Sequence, residues 1–264
     1  VAQKLTYSTA SGVITMTGTN LNVTAAEGQA DNINFTVKKG TLDTGDGNDT
    51  IKVSTTAGII AGDGDDSITT VAAAGTSTIA LGAGADSITN AAFRAVIDAG
   101  DDDNYINNTA ASVGISTGTG ADSIVNTGAS LTLNSGAGND TISNTGAYGV
   151  YDAGEGDDSV TNSGRYTTIG LGAGNDTVVN TGYQGEVDGG EGDDIYDENY
   201  TGDGTRNTAT NIELIDLGTS GNWTFAAGTT QKVKINDMTY TIENDDTVAQ
   251  KLTYSTASGV ITMT

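Results

Sequence analysis

Eight aspartates each close a five-residue turn of the form G-x-G-x-D: Asp49, Asp66, Asp86, Asp122, Asp140, Asp158, Asp176 and Asp194. From Asp86 onward the step is 18 residues, counting one degenerate turn, GDDDN, that ends in Asn104. The two earlier steps are 17 and 20, so a deletion and an insertion flank Asp66. Asp31 lies 18 residues before Asp49 in a turn, EGQAD, that lacks the glycine pattern. Stacked coils would place these acids in a column, with neighbours about 4.8 Å apart. Like charges at that distance repel by roughly 1 kcal/mol in water and by about 3–4 kcal/mol at an effective dielectric constant of 20. Such a column opposes folding unless cations lie within it. The turn glycines would let backbone carbonyls aim at the same points: Gly45, Gly47, Gly62, Gly64, Gly82, Gly84, Gly118, Gly120, Gly136, Gly138, Gly154, Gly156, Gly172, Gly174, Gly190 and Gly192. Carboxylate and carbonyl oxygens suit a hard cation of flexible coordination, calcium rather than magnesium, which keeps several waters. Asp31 and Asn104 stand in the same column as secondary candidates. Gly and Asp also dominate ordinary turns, but ordinary turn chemistry leaves the repulsion uncompensated.

The elements that would hold these turns follow from three further columns. Two residues after the last residue of each of the first eight turns stands an apolar residue: Ile51, Ile68, Ile88, Ile106 (after Asn104), Ile124, Ile142, Val160 and Val178. Half a period away runs a second: Ile79, Ile97, Ile115, Leu133, Tyr151, Ile169 and Val187. The third is Asn90, Asn108, Asn126, Asn144, Asn162 and Asn180. Alternation such as Thr141-Ile142-Ser143 puts the apolar side chain on one face and the hydroxyls on the other. Glycine density and β-branched residues exclude a long helix. An 18-residue unit with two short strands and two turns is one coil of a solenoid. Stacked coils bury a narrow continuous core, which accounts for only 3 Phe and 1 Trp in 264 residues. The fold expected is all-β: a right-handed parallel β-solenoid of about ten 18-residue coils, roughly 50 Å long, with β-rich capping or joint segments at both ends. Stacked asparagine amides form hydrogen-bonded ladders, so the Asn column reads as structural.

Composition narrows the chemistry. The net charge is −24, and the chain has no His, Cys or Pro. Without Cys there is no disulfide or thiolate site. Without His there is no Ser-His-Asp triad and no imidazole ligand. The acidity argues against nucleic acid and anionic membranes, and no apolar run approaches the ~20 residues of a membrane span. Gly114-Ile115-Ser116-Thr117-Gly118 matches a nucleophile elbow, but no His exists to activate Ser116. No enzyme activity is expected. No signal peptide is visible and the chain does not begin with Met, which reads as a mature product or a segment of something longer.

The turns resemble the glycine-rich nonapeptide G-G-x-G-x-D-x-U-x of the RTX calcium-binding β-roll family. GGEGDDIYD at 189–197 nearly matches it, and SGAGNDTIS at 135–143 matches all but the first glycine. The likeness covers residues 27–200 and holds at half density, because alternate nonapeptides such as NTGAYGVYD carry no acid in the turn. It implies calcium along one edge only, opposite an Asn-rich edge. It also implies export in an unfolded state and folding outside the cell. Eighteen of the 34 acids lie inside the nine turns. Nine turns leave eight gaps, so about eight Ca2+ ions would cancel about two-thirds of the net charge.

Residues 248–264 repeat residues 1–17 letter for letter, at an offset of 247. One unit of a tandem array, followed by the start of the next, accounts for that identity. The expected organisation is N-terminal strands or a joint at 1–25, the calcium-binding solenoid at 26–200, a C-terminal β cap or joint at 201–247 and the next unit from 248. The function expected is a calcium-stabilised structural repeat of a bacterial extracellular fibre, adhesin stalk or surface-layer protein, at the cell surface or secreted. Its partners would be copies of itself, in tandem or head to tail, with no nucleic acid and no membrane insertion. The alternative is a binding module for cell-surface carbohydrate or ice, using the Asn-rich or turn face. A third possibility is an accessory segment of a secreted enzyme.

Overall fold

The computed structural model describes residues 4–8, 12–25, 28–72, 75–198, 207–216, 220–225, 229–235, 238–244, 249–255 and 260–263. Among these there is no helix. The chain winds as a parallel β-solenoid in which each coil gives one strand to a 15-stranded sheet and one to an 11-stranded sheet. The first apolar column lies in one sheet, with Ile88 paired to Ile106 and Ile142 to Val160. The second lies in the other sheet, with Ile97 paired to Ile115 and Tyr151 to Ile169. Strands such as Thr50–Val53 alternate exposed and buried along their length. Both apolar columns therefore face each other across a thin core.

The parallel ladder runs further than the turn motif. Val13–Thr19 already pairs in parallel with Asn32–Lys38, and Leu214–Asp216 pairs in parallel with Thr229–Ile235. The solenoid thus passes beyond the 26–200 span at both ends, which raises the count from about ten coils to the eleven rungs of the second sheet. The outer coils keep the alternating apolar pattern without the glycine-rich turn, so pairing and burial suffice to continue the stack.

The irregular steps do not disturb the acid turns. Phe35 pairs with Val53 at an offset of 18, whereas Gly40 pairs with Ala57 at 17. The deletion therefore sits between Val53 and Ala57. Val53 pairs with Thr70 at 17, and Gly58 with Thr78 at 20, so the insertion lies between Thr70 and Thr78. Both fall in turns on the edge opposite the acids.

Antiparallel hairpins flank the solenoid. Lys4–Ser8 pairs with Val13–Thr19, and Thr229–Ile235 pairs with Met238–Asn244. The connection at Asn236 and Asp237 lies outside the described residues. A third sheet joins Ser220–Phe225, Gln250–Ser255 and Val260–Met263. The duplicated segment folds as the same hairpin twice: Leu5 faces Met16, and Leu252 faces Met263. The second copy is seated on Ser220–Phe225, with Trp223 opposite Leu252. Trp223 also packs against Tyr196, their rings 5.5 Å apart.

Candidate metal centre

All eight motif aspartates point into the turn edge of the solenoid and are at most 2% exposed. One carboxylate oxygen of each is accounted for. The backbone N–H of Asp49 donates to Asp66 Oδ1 at 2.7 Å, that of Asp140 to Asp158 at 2.7 Å and that of Asp176 to Asp194 at 2.9 Å. The same bond links every step from Asp31, whose N–H reaches Asp49 Oδ1 at 2.7 Å, through Asn104 to Asp194. Each carboxylate therefore meets an amide hydrogen of the coil before it. The second oxygen is different. Oδ2 of Asp49, Asp66, Asp86, Asp122, Asp140, Asp158, Asp176 and Asp194 is buried and has no hydrogen-bond partner. Thr117 and Ser135 stand near Asp122 and Asp140, but their hydroxyls donate to the carbonyls of Ser135 and Ala153 at 2.7 and 3.0 Å. A buried unsatisfied acceptor costs about 1–3 kcal/mol, more when charged.

The electrostatics follow. Burial raises Asp66 and Asp158 to about 7 and Asp86 and Asp140 to about 6; the N–H bond from the preceding coil opposes it, and neighbouring carboxylates add to it in all four. Burial likewise raises Asp122, Asp176 and Asp194. The column holds its negative charge near neutral pH only at a cost.

The glycines bring the coils into contact. A Cβ on Gly154, where φ is +104°, would overlap the carbonyl oxygen of Gly136 one coil earlier. The carbonyls of Gly118 and Gly136 already accept N–H bonds from Ala137 and Glu155 at 2.9 and 2.8 Å, which leaves each a second lone pair. Among the described residues no group of three acidic side chains converges. A cation held beside an Oδ2 would have that one carboxylate oxygen and would need backbone carbonyls for most of its other ligands. That donor set, all oxygen and adaptable in number, fits calcium.

The secondary candidates part company. Asp31 is only partly buried and no oxygen of it is left orphaned inside. Asn104 is buried, but its amide nitrogen stands where the others have Oδ2, donating to the Asp102 carbonyl at 2.9 Å. Glu213 extends the column unforeseen, its Oε2 accepting the N–H of Asp194 at 2.8 Å. Its turn has no glycine pattern, yet Ile215 follows two residues later, as an apolar residue follows every acid of the column.

Comparison with protein-family models, with curated proteins and with solved structures returns no match. The assignment of the turns therefore rests on their own geometry.

Except at Ala85 and Ala121, the fourth residues of the turns form a second ladder that the motif alone does not reveal. Asn139 Oδ1 accepts the N–H of Asp157 at 2.9 Å, and Asp157 Oδ1 accepts that of Asn175 at 2.7 Å. It runs opposite to the first, side chain to following coil. The Asn column forms a third. Asn108 Nδ2 donates to Asn126 Oδ1 at 2.7 Å and Asn126 to Asn144 at 2.8 Å. These amides are at most 2% exposed, so the Asn side chains lie inside the solenoid and not on its surface. Ser116 lies exposed on the strand Gly114–Ser116.

Proposed function

We propose that this chain is a calcium-stabilised structural repeat of an extracellular bacterial fibre, adhesin stalk or surface-layer protein, related in design to the RTX β-roll and carrying ions along one edge. The observation that carries the reading is the row of eight buried Oδ2 atoms without a hydrogen-bond donor. A divalent cation beside each supplies the missing partner and removes the charge that burial penalises. Calcium is the choice among cations because every candidate ligand is a protein oxygen and magnesium keeps several waters.

The structural role draws support from the terminal duplication. The hairpin at Lys4–Thr19 recurs at Gln250–Met263 in the same register and sits on Ser220–Phe225 of the preceding unit. That contact has the form of a joint between successive units. The test is a thermal melt by circular dichroism with calcium and with EDTA. The reading expects loss of the β signal, or a large fall in melting temperature, in EDTA. An unchanged curve would falsify it.

A second reading has one observation behind it. On the edge opposite the acid turns Tyr148 and Tyr166 stack at 5.0 Å, both exposed, with Arg165 beside Tyr166 and bonded to the Tyr183 hydroxyl at 3.1 Å. A row of exposed aromatic side chains beside a guanidinium suits contact with sugars. A glycan array separates this adhesive role from a passive stalk.

A further inference from the structure

We infer that the Asn104 turn is a coil that needs no ion, because its side-chain amide does there what a cation does in the eight aspartate turns. The inference rests on the reading of those turns as cation sites.

The orientation of Asn104 is set by its neighbours. The backbone N–H of Asp86 can only donate, and it meets Asn104 Oδ1 at 3.0 Å. Nδ2 must then face the other way, into its own turn. There it donates to the carbonyl of Asp102 at 2.9 Å and lies 3.4 and 3.5 Å from those of Gly100 and Asp101. Asn and Asp side chains have the same shape, and the eight aspartates make the same Oδ1 contact to the preceding coil. Their Oδ2 atoms correspond to Nδ2, and all eight lack a donor. An oxygen in that place faces carbonyls with no hydrogen to share. Two oxygens bound at about 2.4 Å to one calcium, at an angle of about 75–90°, lie about 2.9–3.4 Å apart. Two of the three distances around Nδ2, 2.9 and 3.4 Å, fall in that range, and the third, 3.5 Å, lies just beyond it. The Asn104 turn thus has the spacing of a ligand cage, closed by hydrogens instead of an ion.

The other acids of that turn are occupied elsewhere. Asp101 accepts the Thr119 N–H and hydroxyl, Asp102 the Gly84 N–H and Asp103 the Ala121 N–H. Asp102 also takes φ +74°, the third position that is glycine in the other turns. The array is therefore two blocks of ion turns, Asp49 to Asp86 and Asp122 to Asp194, joined by one coil that keeps register without calcium.

Two variants of the full chain test this, Asn104→Asp and the converse Asp140→Asn, each measured for bound calcium by equilibrium dialysis and for melting temperature in EDTA. The expected result is one more calcium per chain for Asn104→Asp and one fewer for Asp140→Asn. In EDTA, Asp140→Asn melts about 2–4 °C higher than the parent, and Asn104→Asp melts lower. If Asn104→Asp does not fold in EDTA, Asp140→Asn still decides. Calcium counts equal to the parent's in both variants, or a lower melt for Asp140→Asn in EDTA, would overturn the inference while leaving the calcium reading standing. A parent that binds no calcium removes both.

Discussion

Asp158 shows how one residue carries the argument. Its Oδ1 holds the backbone of Asp140 and its Oδ2 has no donor, while burial lifts its carboxyl to about 7. The sign of the consequence is fixed. A folded-state value above the unfolded value, about 3.9 for Asp, means the folded state holds more protons between the two. The stability this contributes is complete below the unfolded value and is lost as pH rises through about 6–7, where Asp86, Asp140, Asp66 and Asp158 titrate. In EDTA the melting temperature should fall between about pH 5 and about pH 8, and calcium should abolish the fall at the upper end. A rise over that range in EDTA would count against the buried column. At the same scale, Gly154→Ala should cost more than the ~1–3 kcal/mol of backbone strain alone. Its new methyl meets backbone, the Gly136 carbonyl, and not a movable side chain. Chemical denaturation in calcium measures it, and a near-neutral result would mean that the coils do not touch there.

At the scale of the coil, three hydrogen-bonded ladders work alongside the thin apolar core. Removing one rung of the Asn ladder tests this. Asn126→Ala leaves Asn108 Nδ2 and Tyr151 Oη without Asn126 and should destabilise by about 1–3 kcal/mol. Its calcium content should stay that of the parent, which separates the ladder from the ion edge. The coil was also the most legible element in the sequence. Period, strand positions and the eight acids were readable because one residue type recurs at one place in every repeat. What escaped reading had no such recurrence. The carboxylate of Glu213 sits in a turn without glycines, and the fourth-position ladder is interrupted by Ala85 and Ala121. The edge that absorbs the 17- and 20-residue steps depends on pairing registers, which composition does not reveal. The Asn104 amide matched the motif as a defect, and only its three carbonyl contacts show it as a replacement.

At the scale of the molecule, the solenoid is an acidic stack of coils, and one hairpin occurs twice, at Lys4–Thr19 and at Gln250–Met263. The pairing of Trp223 with Leu252, and its packing on Tyr196, ties the second hairpin to the last coils. Trp223→Ala should cost about 3–5 kcal/mol and expose Gln250–Ser255 to proteolysis, with the solenoid coils still protected. Equal cleavage in parent and variant would show that the seating of the second hairpin does not depend on this side chain. The ends of the solenoid were less legible than its middle, because Val13–Thr19 and Thr229–Ile235 continue the stack by alternation without the turn that marks the other coils. The central claim is that the eight orphaned oxygens are half of an ion-binding edge. It is tested most directly by counting calcium on the chain after folding in calcium and removing the free ion. The account predicts about eight ions per chain, one for each Oδ2 without a donor. A folded chain carrying none would contradict it.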